Sequence, residues 1–227
     1  MDKLSLLVRS TVGRKWLNGL TGVLLLAFIT AHLGGNLNII IGSEAFNGYA
    51  AKLWSLGELV YVIEFGLAAL FLLHAVMGVS VYLEKRRARP DGYKQLRSAG
   101  GASRQTMFSK TMIFTGVLMF AFLVWHLIQF RFGPHYSTEL HGKEARDLYR
   151  LVVEVFASPF NVIAYEVMMV LLGFHLRHGF WSAFQTLGVT HPKYTKPIYA
   201  IGILFAVVVA LGFLSIPPYI YFSGGAR

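Results

Sequence analysis

The chain has 227 residues, of which 55% are hydrophobic and only 14% charged, and its formal net charge is +10. Soluble domains carry about 25% charged residues, so this composition excludes an ordinary soluble fold and indicates a protein solvated by lipid. The lack of cysteine excludes disulfides, Fe–S clusters held by this chain and Cys-based zinc sites. Nucleic-acid binding is not indicated, because the basic residues separate long apolar runs instead of forming one basic face.

Five long apolar runs follow one another along the chain. A helix needs about 20 apolar residues to cross the hydrocarbon core, and the runs lack the alternation of a β-barrel. The first run is too long for the apolar part of a signal peptide, so it is interpreted as a retained span. We therefore predict an all-α integral membrane protein with one transmembrane domain over residues 1–227, and we recognise no internal repeat. The predicted spans are 17–41, 58–83, 110–131, 157–183 and 197–222.

The lysine and arginine residues are distributed unevenly between the two ends of the predicted spans. Of the 21, four precede the first span, eight follow Glu84 up to and including Lys110, and three run from Arg177, near the end of the fourth span, through Lys196. The positive-inside rule then places the N-terminus in the cytoplasm and the C-terminus outside. The basic loop from Lys85 to Lys110 is either a topology determinant in contact with lipid headgroups or a docking surface for cytoplasmic partner subunits.

Each of the first four predicted spans carries a histidine at a matching depth: His32, His74, His126 and His175. Counted from span starts near Leu17, Glu58, Lys110 and Pro159, each lies 15 or 16 residues into its span. Consecutive helices run in opposite directions, so the first and third of these histidines lie in the outer half of the membrane. The second and fourth lie in the inner half, and the two levels differ by about 11 Å at 1.5 Å rise per residue.

Two pairs of histidines at two depths favour two bis-imidazole haems inside a four-helix bundle. Imidazole is a normal ligand of haem iron, and bundle cores hold such cofactors. We pair His32 with His126 at an outer haem iron, and His74 with His175 at an inner one. A single membrane histidine can instead form a hydrogen bond between helices, but one in each of four consecutive spans favours the cofactor.

Further polar residues near the predicted inner face could contact haem propionates or a quinone headgroup. His178 shares a helix face with His175 and competes with it as a ligand, but its position closer to the cytoplasm suits a propionate, quinone or proton role better. The other candidates are Arg14, Lys15, Trp16, Arg177 and Ser182. The remaining histidines fall in predicted loops, where surface positions are expected: His135, His141 and His191.

Four segments carry a resemblance to a known family: TAHLGGNL, LLHAVMG, WHLIQFRFG and GFHLRHGFWSAFQTLGVTHPKY. They resemble the single-chain, five-span, di-haem cytochrome b anchor subunit of succinate:menaquinone oxidoreductases and related fumarate reductases. The resemblance extends from Arg14 to about Tyr221. In that family the first helix pairs with the third and the second with the fourth in haem ligation, and the position of His178 varies.

The resemblance implies a membrane-anchor and electron-transfer subunit in a prokaryotic cytoplasmic (inner) membrane. An FAD-containing flavoprotein and an iron–sulfur subunit would dock on the cytoplasmic side and would hold all the FAD and Fe–S clusters. This chain would carry two haem b groups, have no dicarboxylate site, and exchange electrons with menaquinone or another quinone. The direction of the reaction and the assembly of the complex into a higher oligomer stay open.

Two glutamates interrupt apolar runs in the predicted outer half, Glu64 and Glu166. Without a cation nearby, such carboxylates suit the acceptance or relay of quinol protons. The alternative, weighted equally, is a protonated carboxyl in a hydrogen bond between helices. Glu58 is a third candidate, with a stronger case for an ordinary interfacial residue. The polar residues expected at the outer face are Asn36, Asn38, Gln129 and Arg131.

Other functional classes stay as alternatives. The cytochrome b subunit of a hydrogenase, formate dehydrogenase or nitrate reductase also bundles haems, although the order of its ligands along the spans differs. A histidine–metal membrane enzyme needs clustered histidine boxes near one face, and here only His175 and His178 cluster. A proton-coupled transporter is the remaining alternative, because intramembrane polar residues also line transport pathways.

Overall fold

The computed structural model describes residues 8–88, 107–189 and 191–224. Five of its helices are long and apolar enough to cross a membrane, which confirms the predicted fold class. We name them span 1 to span 5 in chain order. Their bounds are Thr11–Ile41, Glu58–Ala88, Ser109–Phe130, Pro159–Thr186 and Lys193–Ser223. The predicted basic loop falls largely on residues 89–106, outside the described part of the chain.

Short elements join the spans, and two spans consist of consecutive helices. Span 1 begins ahead of the predicted residue 17, because Ser10 caps the helix by accepting a hydrogen bond from the Gly13 amide at 3.0 Å. The elements in order are α1 Thr11–Asn36, α2 Asn38–Ile41, α3 Ser43–Trp54, α4 Glu58–Ala88, α5 Met107–Phe130, β1 Ser137–Leu140, β2 Lys143–Arg146, α6 Leu148–Phe156, α7 Pro159–Thr186, α8 Pro192–Leu214 and α9 Ile216–Ser223.

Span 4 is the central helix of the bundle. It packs against spans 1, 3 and 5, and span 1 packs in turn against span 2. Span 5 runs along span 4 and also contacts span 1, where a Cβ added at Gly212 would lie 2.7 Å from the Leu33 side chain. The fifth span therefore belongs to the packed bundle.

Small residues allow spans 4 and 5 to approach closely. A Cβ added at Gly173 would lie 3.0 Å from the Cβ of Ala210, and small residues at such contacts are how membrane helices pack tightly. We expect Gly173→Leu to lower the free energy of unfolding by about 1–3 kcal/mol, the usual cost of overpacking. Thermal unfolding in detergent measures the effect. Gly66→Leu is the matched control, because no described atom beyond its own helix backbone and chain neighbours lies within 4 Å of its added Cβ. Equal destabilisation by the two variants would contradict the proposed contact.

A small cap that the sequence analysis did not predict covers one end of the bundle, which we call the hairpin end. Strands β1 and β2 are antiparallel, and a two-residue turn joins them through His141 and Gly142, with φ of 52° and 76°. Positive φ at both turn residues is typical of tight hairpins. At this end, one buried cluster joins the short helices α3 and α6 to spans 1, 4 and 5, and its residues are Ile39, Phe46, Val152, Phe156, Tyr165, Ile216 and Ile220.

One buried asparagine forms hydrogen bonds between two parts of the cap. Asn47 is only 3% exposed. Its amide donates to Asp147 at 2.8 Å, and its oxygen accepts from the Tyr149 amide at 2.8 Å. Asp147 also caps α6 by accepting from the Arg150 amide at 3.1 Å. Asn47 therefore connects α3 with the start of α6.

Candidate cofactor site

The four histidines of spans 1 to 4 come together as two pairs. The ring centroids of His32 and His126 are 5.9 Å apart with an interplanar angle of 86°. Those of His74 and His175 are 6.5 Å apart with an angle of 71°. Span 1 thus faces span 3 at one level, and span 2 faces span 4 at the other. These are the two pairs expected from depth along the helices.

The spacing within each pair fits a shared metal atom. Two imidazoles that bind one metal at the common metal–nitrogen distance of about 2.0–2.1 Å have ring centroids roughly 6.3 Å apart. Both observed distances lie close to this value. Imidazole nitrogens are ordinary axial ligands of haem iron. Two imidazole donors facing each other at each site are a ligand set that a haem b would use, so the donor set fits haem.

Aromatic residues surround the His32–His126 pair. The Tyr165 hydroxyl lies 3.3 Å from Nδ1 of His126 and donates to Oε1 of Gln129 at 2.6 Å. The sequence analysis named Gln129 as a polar residue at this end but missed Tyr165. Four phenylalanine rings have centroids 5.1–5.9 Å from those of the imidazoles, and they belong to Phe28, Phe122, Phe130 and Phe213.

Threonine hydroxyls contact the His74–His175 pair. Oγ1 of Thr21 lies 3.1 Å from Nδ1 of His74, and Oγ1 of Thr115 lies 3.1 Å from Nδ1 of His175. Each threonine is 3% exposed. Spans 1 and 3 therefore supply a ligand candidate at one level and a hydrogen-bond partner at the other. Neither threonine was predicted from the sequence.

A repeat in the sequence carries these threonines, so the prediction that the chain has no internal repeat was wrong. Residues 21–33 (TGVLLLAFITAHL) and 115–127 (TGVLMFAFLVWHL) are identical at eight of 13 positions. Each copy places threonine 11 residues before histidine, which is about three helical turns, so both side chains share one face. The glycine after each threonine lies against the neighbouring imidazole, because Cβ atoms added at Gly22 and Gly116 would be 3.5 and 3.6 Å from Cε1 of His74 and His175.

His175 and His178 occupy different positions relative to His74. The ring of His175 faces His74 across the bundle, whereas His178 lies one helical turn further along span 4, away from the hairpin end. His178 and Ser182 are both partly buried. They line up on span 4 beyond the His74–His175 pair, at the end of the bundle where span 1 begins.

The two arginines predicted near that end have different partners. Arg14 of span 1 forms an ion pair with Glu84 of span 2. Among the described residues, Nε of Arg14 has no hydrogen-bond acceptor, which leaves one donor for a further anionic group. Arg177 donates to the Tyr199 hydroxyl at 3.5 Å and so reaches span 5.

The three candidate glutamates have different surroundings. Glu64 accepts two hydrogen bonds from Arg131, at 2.7 and 3.1 Å, and these raise the pKa of Arg131. The premise that Glu64 lacks a cation was therefore wrong. Oε1 of Glu166 is buried and has no hydrogen-bond partner among the described residues. Glu58 is exposed at the first turn of span 2, as an ordinary interfacial residue would be. The three loop histidines, His135, His141 and His191, are all exposed.

Comparison with known proteins finds one relative that matches along most of the chain. The chain is 27% identical over 205 residues to the succinate dehydrogenase cytochrome b558 subunit of Bacillus subtilis (strain 168). The match covers 88% of this chain and 93% of the relative. No protein-family model and no solved structure matches the chain. The resemblance drawn from the four sequence segments is thereby confirmed.

Proposed function

Since the chain resembles the cytochrome b558 subunit of succinate dehydrogenase along 88% of its length, we propose that it is the membrane anchor of a succinate dehydrogenase or fumarate reductase. In this role it passes electrons between an iron–sulfur partner subunit and a quinone, with menaquinone as the favoured quinone. The flavoprotein partner contains FAD and the dicarboxylate site. The chain lies in a prokaryotic inner membrane with its N-terminus in the cytoplasm.

The observation that carries this proposal is the pair of facing imidazoles at each of two levels in the bundle. Ring distances of 5.9 and 6.5 Å suit a pair of imidazoles that would hold one haem iron between them. A bis-imidazole haem b exchanges single electrons and offers no open iron position to a substrate. His32 and His126 would hold the haem nearer the hairpin end, and His74 and His175 the haem nearer the N-terminus.

The polar groups at the N-terminal end of the bundle suit haem propionates. Arg14 retains a free Nε–H beside its ion pair with Glu84, and arginine binds carboxylates well. His178 and Ser182 lie beyond His175 on the same helix and face the same end. We propose that Arg14, His178 and Ser182 hold the propionates of the His74–His175 haem. Arg177 instead connects span 4 to span 5 through its hydrogen bond to Tyr199.

Glu166 is the proposed proton-accepting group for quinol. Its buried Oε1 atom without a hydrogen-bond partner among the described residues leaves it able to take a proton. The hydroxyl of the adjacent Tyr165 contacts His126 of the His32–His126 pair. Proton acceptance by Glu166 and electron transfer at this pair would therefore take place at one level of the bundle. Glu64 is held by Arg131 and has a structural role in this proposal.

The direct test is a haem count on the purified membrane complex. We expect two b haems per copy of this chain by pyridine haemochrome, together with co-purifying flavoprotein and iron–sulfur subunits. Succinate should reduce both haems, and a menaquinone analogue should reoxidise them. A complex without haem would reject the proposal, and a molybdenum or nickel partner in place of the flavoprotein would reassign the chain to another quinone-linked dehydrogenase.

A further inference from the structure

The hydroxyls of Thr21 and Thr115 donate their protons to backbone carbonyls of their own helices. Oγ1 of Thr21 lies 2.8 Å from the Leu17 carbonyl, and Oγ1 of Thr115 lies 3.2 Å from the Thr111 carbonyl and 3.1 Å from that of Met112. A hydroxyl has one proton to donate. Toward the imidazoles, each threonine oxygen therefore acts as an acceptor, and the ring nitrogen donates.

This direction assigns the tautomer of both imidazoles from the hydrogen-bond network. Nδ1 of His74 and Nδ1 of His175 each carry the proton, and each Nε2 keeps its lone pair. Since Nδ1 of each ring is held by a threonine of another span, Nε2 is the nitrogen left for a metal between the two rings. Both rings therefore have the same tautomer and leave the same nitrogen, Nε2, for a metal.

We propose that Thr21 and Thr115 are positioning residues that orient His74 and His175 and set the reduction potential of the haem between them. The proposal rests on the proposed haem-binding function. A hydrogen-bond acceptor on Nδ1–H makes an imidazole a more basic ligand. A more basic ligand favours oxidised iron, so each threonine lowers the potential of this haem.

In the described part of the chain, the other histidine pair has no threonine acceptor, and only one of its two rings has a hydroxyl partner. At His126 the acceptor is the phenolic oxygen of Tyr165, whose proton goes to Gln129. Among the described residues, the ring of His32 makes aromatic contacts and no hydrogen bond is found for it. Loss of a threonine should therefore change one haem and leave the other unaffected.

The test is a redox titration of the complete complex carrying Thr21→Val or Thr115→Val. We expect both haems to be retained. The reduction potential of the His74–His175 haem should rise by up to about 59 mV, which for one electron corresponds to a tenfold change in the oxidation equilibrium. The double variant should shift it further. Thr21→Ser and Thr115→Ser keep the hydroxyl and should restore the parental potential.

Thr30→Val is the matched control. Thr30 lies on the same span as Thr21 and its hydroxyl donates to the Leu26 carbonyl at 2.8 Å, but its side chain is exposed, and among the described residues it makes no hydrogen bond to an imidazole. If a valine variant fails to assemble, Thr21→Cys and Thr115→Cys keep the volume with a weaker acceptor and should shift the potential in the same direction by less.

Each outcome separates this inference from the proposed function. Two haems with unchanged potentials in Thr21→Val and Thr115→Val would overturn the inference and leave the haem-binding function standing. An equal shift of both haems, or the same shift in Thr30→Val, would also overturn it. Absence of haem from the parental complex would instead remove the proposed function itself.

Discussion

Replacing His74 by leucine is expected to remove one of the two haems and to lower succinate-dependent quinone reduction by at least about 100-fold. Changes to groups that only support a metal ligand cost 10–100-fold, and loss of the ligand itself should cost more. Leucine fills the site but offers no lone pair, so the iron loses an axial ligand. Haem per chain and quinone reductase activity of the purified complex measure the two effects.

Double variants test the pairing directly. His74 and His175 face each other, so the variant with both replaced should lose no more haem than either single variant. The variant with His32 and His74 replaced should lose both haems. This pattern follows because substitutions at one shared site are not additive, whereas those at separate sites are. His135→Leu is the control, because this histidine is exposed. Loss of both haems in the His74–His175 double variant, with one haem retained in each single variant, would contradict the assigned pairs.

Replacing Glu166 by glutamine is expected to lower quinol oxidation by about 100-fold or more while both haems are retained. General acid–base groups contribute roughly 10²–10⁴-fold to the reactions they assist. Glutamine keeps the shape of the side chain and cannot accept the quinol proton. Steady-state turnover with a menaquinol analogue gives the size of the loss, and the haem spectrum shows that the bundle is intact.

Two matched variants show whether the effect belongs to Glu166. Glu58→Gln changes an exposed carboxylate at the end of span 2 and should leave turnover unchanged. Glu64→Gln removes the partner of Arg131 and should lower thermal stability more than turnover. Normal quinol oxidation by Glu166→Gln would assign its carboxyl to a contact between helices, and a loss confined to Glu64→Gln would move the proton-accepting role to that residue.

The histidine pairs illustrate how much of the site can be predicted from the sequence. A helix rises 1.5 Å per residue, so the position of His32 or His74 within its span sets its depth. Alternating helix direction then tells which histidines share a level. The pairing of span 1 with span 3 follows from these two local properties without knowledge of which spans are neighbours.

The glutamates and threonines illustrate what could not be predicted. From their depth alone, Glu64 and Glu166 were both candidates for a proton-accepting role. In the structure Glu64 accepts hydrogen bonds from Arg131, whereas Glu166 has a buried oxygen without a hydrogen-bond partner among the described residues. Thr21 and Thr115 stand in the repeated segments, but their contacts with His74 and His175 cross between helices. No periodicity within one span records such a contact.

The sequence by itself determined the lipid environment, the five apolar spans and the level of each histidine, because apolar length and helical rise are properties of a single segment. The tertiary structure decided which side chain each histidine meets, where span 5 packs, and that a hairpin and short helices cover one end. These features depend on how far each helix is rotated about its axis and which helix lies beside it. Packing between helices sets that rotation, through contacts such as Gly173 with Ala210.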